Sequence, residues 1–194
     1  MKRRSLLASL PRSMAAFVLF TELSLSKAQA SALGGELPSL DAPAPPFRLS
    51  GVAPTAGADG LPVKVERALA DFQGRWLVLY FYPRDFTSGC TLEARGFQRD
   101  LTTYHQLQAE VVGVSTDSLD RHGSFCGEEG LAYPLLSDPE GAVCRLYGSW
   151  LAPSALRHTF LIDPQGILRA RWVAVRPLAH SQEVLETLRA FQAA

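Results

Sequence analysis

The chain has 194 residues, 47% of them hydrophobic and 20% charged, with 19 basic and 19 acidic side chains in balance. The first thirty residues hold five of the basic and one of the acidic groups, so residues 31–194 carry a net charge of −4. That charge gives no electrostatic basis for binding nucleic acid or an acidic membrane surface, and 164 residues suffice for one domain with a sizeable core.

Residues 1–30 read as a signal peptide. Met1-Lys2-Arg3-Arg4 is a basic start, Met14 to Phe20 is a short apolar core, and Ala28-Gln29-Ala30 is a small-x-small cleavage site. The apolar run falls far short of the roughly 20 residues that span a bilayer, and Glu22 interrupts its extension, so stable membrane insertion is not expected. The expectation is export, to a periplasm or, in a photosynthetic source, to a thylakoid lumen. Arg3-Arg4 leaves both the Sec and the twin-arginine routes open.

Residues 31–46 contain Gly34-Gly35, Pro38, Pro43, Pro45 and Pro46 and predict an extended lead-in; the domain proper is expected over 47–194. Phe47-Arg48-Leu49 and Pro62 to Val65 predict an edge hairpin around Gly51 to Gly60, and Glu66 to Phe72 one or two helical turns closed by Gly74. Trp76 to Phe81 is a continuous apolar run, the mark of a strand buried on both faces. A helix is expected from Cys90 to about Leu107, and then a second buried strand over Val111 to Ser115. Ser118 caps a helix that runs to Glu129 and stops at Gly130. Pro134 to Leu136 is a short extended piece, and Gly141 to Tyr147 a short helix ended by Gly148. Asp163-Pro164-Gln165-Gly166 is a turn between the strands His158 to Ile162 and Ile167 to Val173. His180 to Ala193 closes the chain as an amphipathic helix with Val184, Leu185, Leu188 and Phe191 on one face. Strands alternating with helices predict an α/β fold, a central sheet covered on both faces.

Cys90 stands where the central strand hands over to a helix. Pro83 ends the strand, Thr87 or Ser88 can cap the helix, and Gly89 allows close approach of whatever binds there. A cysteine in a first helical turn faces unpaired amides and the positive end of the helix dipole, which favour thiolate over thiol. A free cysteine is more often a buried apolar filler, and it is the order Pro83, Thr87, Cys90 that shifts the balance toward a nucleophile.

The stretch Phe81-Tyr82-Pro83-Arg84-Asp85-Phe86-Thr87-Ser88-Gly89-Cys90-Thr91-Leu92-Glu93 closely resembles the active-site signature of peroxiredoxins, in particular the peroxiredoxin Q or bacterioferritin comigratory group. The resemblance runs from about Leu40 to the C-terminus. It implies a thioredoxin-like fold with a mixed sheet, a monomer, and reduction of hydrogen peroxide or alkyl hydroperoxides by a thiol. It implies Cys90 as the attacking sulfur, Thr87 as the hydroxyl that orients the peroxide, and Pro83 as the shield over the sulfur. Arg157, at the head of Arg157-His158-Thr159-Phe160-Leu161-Ile162-Asp163, matches the family's active-site arginine. Glu93 matches a glutamate that orients that arginine, or is simply an acid favoured in a helix's first turn.

The sequence departs from the group where many members carry a resolving cysteine, five residues after the attacking one: here that residue is Arg95, and Ser88 replaces a frequent proline. Composition leaves all three pairings of Cys90, Cys126 and Cys144 open. The resemblance favours Cys126 as resolver, since a second subgroup places that cysteine in the following helix, and leaves Cys144 as a buried filler. A thioredoxin-like dithiol is then the implied electron donor. Two other readings are a redox sensor or holdase without peroxidase turnover, and a thiol-disulfide oxidoreductase. The latter normally uses Cys-x-x-Cys, whereas Thr87-Ser88-Gly89-Cys90 supplies one cysteine. His105, His122, His158 and His180 show no ligand spacing with each other or with the cysteines, and there is no phosphate-binding glycine loop, so neither metal nor cofactor is expected.

Overall fold

The computed structural model describes residues 34–54 and 62–193, so the expected signal peptide and the tip of the first hairpin lie outside the described residues. Among the described residues nine strands and four α-helices follow in the order β1 (Arg48–Ala53), β2 (Val63–Ala68), β3 (Trp76–Phe81), α1 (Ser88–Gln106), β4 (Ala109–Ser115), α2 (Leu119–Glu129), β5 (Leu135–Ser137), α3 (Ala142–Leu146), β6 (Trp150–Leu151), β7 (Ser154–Ala155), β8 (His158–Ile162), β9 (Leu168–Trp172) and α4 (His180–Ala193). The main sheet has the order β2-β1-β5-β4-β3-β8-β9, and β6 and β7 form a small separate hairpin. β3 runs parallel to β4 and β4 to β5, while β8, β9, β1 and β2 join antiparallel.

Pleat alternation in β3 divides the core in two. Val78, Tyr80 and, just past the strand, Tyr82 point to one face, where Ala94, Phe97, Leu101 and Tyr104 of α1, Phe125 and Cys126 of α2, and Val184, Leu185 and Leu188 of α4 cover them. Leu77, Leu79 and Phe81 point to the other, against Phe47, Phe72, Cys144 and Tyr147. Successive parallel strands β3, β4 and β5 step in one direction across the sheet, and right-handed crossovers then place α1 and α2 on the same face. This puts the heads of both helices beside the ends of β3 and β4.

Local signals decide most element ends. The side chain of Ser118 accepts from the Arg121 amide and starts α2, and Gly130 ends it in the left-handed conformation (φ 61°), a shape that only glycine adopts without strain. Two expectations change. Glu66 to Ala68 extend β2, because each residue from Val63 to Ala68 has a partner on β1, and only Leu69–Phe72 turns as a 3-10 helix. Gly51, expected in the hairpin loop, lies within β1 opposite Val65. The lead-in is fastened to the domain, since Asp41 N donates to Leu168 O and Leu168 N to Ala42 O, pinning it to the start of β9. Among the described residues no helix is long and apolar enough to cross a membrane.

Candidate active site

Sheet pairing ends just before the site. Tyr82 N donates to Val114 O at 3.0 Å, and Pro83, half-buried, has no N–H with which to continue. The chain then turns through exposed Arg84, buried Asp85 and exposed Phe86, whose φ of 63° is unusual for a side chain of this size. Thr87 is the N-cap of α1 by its backbone (φ −88°, ψ 144°) but makes no capping bond through its side chain. Its hydroxyl donates instead to Arg84 O at 3.1 Å. Cys90 sits in the first helical turn, 1% exposed, near amides that have no intrahelical partner.

Arg157 lies in the link between β7 and β8 and faces the head of α1. Its Nη2 donates to Cys90 Sγ at 3.2 Å, and its Nη1 donates to Glu93 Oε2. One planar guanidinium therefore joins the sulfur to a carboxylate one turn further on, a geometry that the fork of arginine permits and a point-charge ammonium does not. A guanidinium this close attracts a thiolate more strongly than a thiol. Glu93 is in the second turn of α1 and 1% exposed, so it is not a solvated first-turn acid. Burial raises its carboxyl to about 7 although Arg157 pulls the other way, and its Oε1 has no hydrogen-bond partner. Gly89 makes the approach possible, because a Cβ there would stand 3.3 Å from Arg157 Nη2 and 3.7 Å from Pro177 Cγ.

The other cysteines are separated by the sheet. Cys126, on α2, belongs to the same core face as Cys90, whereas Cys144, on α3, packs on the opposite face. All three are free and buried. Burial, with a smaller contribution from Asp85, pushes the Cys126 thiol up to about 12, and burial raises Cys144 as well. Among the described residues no cluster of three or more His, Cys, Asp or Glu side chains is placed to hold a metal ion.

A family model for AhpC/TSA proteins matches residues 41–171. The chain belongs to the AhpC/TSA family. Peroxiredoxin Bcp of Xanthomonas campestris pv. campestris is 39% identical over 126 residues, 60% of this chain and 78% of that one. Solved structures of Xanthomonas campestris peroxiredoxin Q, among them two different cysteine-to-serine mutants, are 32% identical with a TM-score of 0.64, covering 73% of this chain and 90% of theirs. A further structure of that organism's bacterioferritin comigratory protein, with the same coverage and score, concerns its alkyl peroxide reduction activity. The chain is thus a peroxiredoxin, a peroxidase-type oxidoreductase with the thioredoxin-like fold of its relatives.

Within this peroxiredoxin fold, sequence reasoning missed a second set of polar groups beside the cysteine loop. Asp85, wholly buried, takes a hydrogen bond from Tyr82 OH (2.7 Å) and contacts His122 Nδ1 on α2 (2.8 Å). Its amide donates to Asp117 (2.8 Å), and its carbonyl accepts from Arg121 (3.0 Å). In sequence Asp85 is an acid between Arg84 and Phe86 and looks solvated, while His122 lacks ligand spacing. Their partnership spans 37 residues and leaves no local pattern.

Proposed function

We propose that the chain reduces hydrogen peroxide and organic hydroperoxides with Cys90 as the attacking sulfur. One observation carries this reading: a buried sulfur at a helix head, 3.2 Å from a guanidinium that a buried glutamate holds in place. The Cys90 thiolate attacks one peroxide oxygen, so that an S–O bond forms as the O–O bond breaks. The leaving alkoxide or hydroxide takes a proton, giving alcohol or water and a Cys90 sulfenic acid. Arg157 is placed to attract both the sulfur and the charge that develops on oxygen, and burial strengthens that attraction by excluding water. Glu93 orients Arg157. The Thr87 hydroxyl, which donates to Arg84 O in the resting site, exchanges that acceptor for the incoming peroxide and orients it.

Cys126 then condenses with the sulfenic acid, releasing water and forming a Cys90 to Cys126 disulfide that an external thioredoxin-like dithiol reduces. Two observations support Cys126 over Cys144. It shares the core face of Cys90, and the two cysteines substituted in the Xanthomonas campestris structures are separated by the same number of residues as Cys90 and Cys126. The test is peroxide consumption with a dithiol donor, together with mass spectrometry after one equivalent of peroxide. The wild type is expected to turn over and to give a Cys90 to Cys126 disulfide, Cys126→Ser to stop at an oxidised Cys90, and Cys90→Ser to be inactive. Full consumption by Cys90→Ser would overturn the reading, and oxidation without turnover would favour a sensor. Export through the basic, apolar and small-x-small leader belongs to the same proposal, and N-terminal sequencing of the protein from the periplasm tests it.

A further inference from the structure

The loop that carries Cys90 and the helix that carries Cys126 are fastened together at one point. Asp85 and Phe86, just upstream of Cys90, are gripped by three side chains of α2. Arg121 donates to the Asp85 carbonyl and lies over the Phe86 ring at 5.2 Å, His122 meets the Asp85 carboxylate, and Phe125 stacks edge-on against Phe86 at 5.1 Å. Cys126 follows immediately. His122 is also tied to the sheet, with its Nε2 3.2 Å from Leu136 O, and both His122 and Asp85 are completely buried. A carbonyl can only accept, so Nε2 carries a hydrogen. The left-handed backbone of Phe86 is the kind of strained conformation that persists only where its surroundings fix it, and these contacts fix it.

Both cysteines are almost wholly buried in separate helices, and the Cys126 thiol is held protonated. Disulfide formation requires the two sulfurs to meet with the attacking one ionised, and each is sealed inside a packed helical segment, so the loosening of these segments governs the step. We propose that the Asp85–His122 pair is the catch for this step. While it is closed, the Cys90 turn and α2 stay folded and the sulfenic acid is held in the pocket. When it opens, both cysteines are released in one event. His122 and Asp85 are then positioning residues for resolution, and they set how the sulfenic acid divides between two fates. In one, Cys126 displaces water and a disulfide forms. In the other, a second hydroperoxide transfers an oxygen atom to the sulfenate, leaving a sulfinate and one molecule of alcohol.

This rests on Cys126 as resolver, and one experiment separates the two ideas. Reduced protein is pulsed with a range of hydroperoxide concentrations without a reductant, and disulfide and sulfinic acid are counted by peptide mass spectrometry. Three variants are compared with the wild type. His122→Phe keeps the ring but removes every hydrogen bond. Asp85→Asn keeps the shape and can still accept from Tyr82 and donate to a neutral His122. Leu168→Ala lowers core stability on the far face of the sheet, away from the catch. The peroxide concentration that gives equal disulfide and sulfinic acid is expected to rise about three- to tenfold in His122→Phe, the worth of one or two buried hydrogen bonds, and by less in Asp85→Asn. It should not move in Leu168→Ala. If His122→Phe does not fold, Asp85→Asn alone must show the shift. An unchanged midpoint in the clasp variants, or an equal shift in Leu168→Ala, overturns the catch. A wild type that forms no Cys90 to Cys126 bond overturns the resolver and the catch with it.

Discussion

Arg157 is the residue on which the site's charge balance turns, because one guanidinium serves two groups. Its two terminal nitrogens are divided between Cys90 and Glu93, so a lysine with a single ammonium cannot hold both. Arg157→Lys is therefore expected to slow Cys90 oxidation by about 100- to 1,000-fold, the scale of losing one aligned donor, with the melting temperature little changed. Stopped-flow fluorescence under pseudo-first-order peroxide checks the rate. Gly89→Ala applies a smaller push to the same group, since the new methyl would meet Arg157 Nη2 at 3.3 Å. A rate loss larger than the stability loss is the expected result. Cys126 gives the opposite kind of prediction. With its thiol pushed up to about 12, it should resist iodoacetamide in the folded protein at pH 8 and react at an ordinary rate in denaturant.

At the scale of elements, the first turn of α1 has to hold Cys90 for oxidation and release it for resolution. Ser88 occupies the first helical position, and Thr87 before it already has the extended backbone that a following proline requires. Ser88→Pro is thus expected to stabilise the turn by about 0.4–1 kcal/mol, speeding the first step slightly and raising the yield of sulfinic acid at a given peroxide dose. Less sulfinic acid in this variant would mean that the turn need not unwind. The same region shows what a sequence discloses. Trp76 to Phe81, Ser118 to Gly130 and His180 to Ala193 were readable because apolar runs, a serine cap and a left-handed glycine act locally. Glu66 to Ala68 were not, because what makes them a strand is pairing with Arg48, Leu49 and Ser50 on β1. Cys90 and Thr87 stand in one motif, and Arg157 was found through a second one. Asp85 and His122 lie on separate elements, and only the parallel packing of β3, β4 and β5 brings them together.

For the whole molecule, Glu93 makes folding stability depend on pH in a way that bears on the chemistry. Burial raises its carboxyl from an unfolded value near 4.5 to about 7, so between those values the folded chain keeps a proton that the unfolded chain has released. Stability from this group is complete below about 4.5, declines as pH rises, and is gone above about 7. His158 and His180 act in the opposite sense, because burial lowers both below the usual imidazole range and folding is then weakened as pH falls below 6.5. The total slope mixes these effects, so the informative quantity is the difference between wild type and Glu93→Gln, which copies the protonated carboxyl. Thermal melts should place the two close together below about pH 4.5, with the wild type falling relative to Glu93→Gln as pH rises to about 7 and the difference level above that. A difference that is flat, or that grows in the wild type's favour at high pH, would mean that Arg157 keeps Glu93 ionised throughout. The same carboxylate also bears on the chemistry, because it holds one arm of the guanidinium whose other arm meets Cys90 Sγ. Glu93→Gln gives up the charge of that hold, so it should loosen Arg157 and slow peroxide reduction, which stopped-flow oxidation of the two proteins at pH 7 checks.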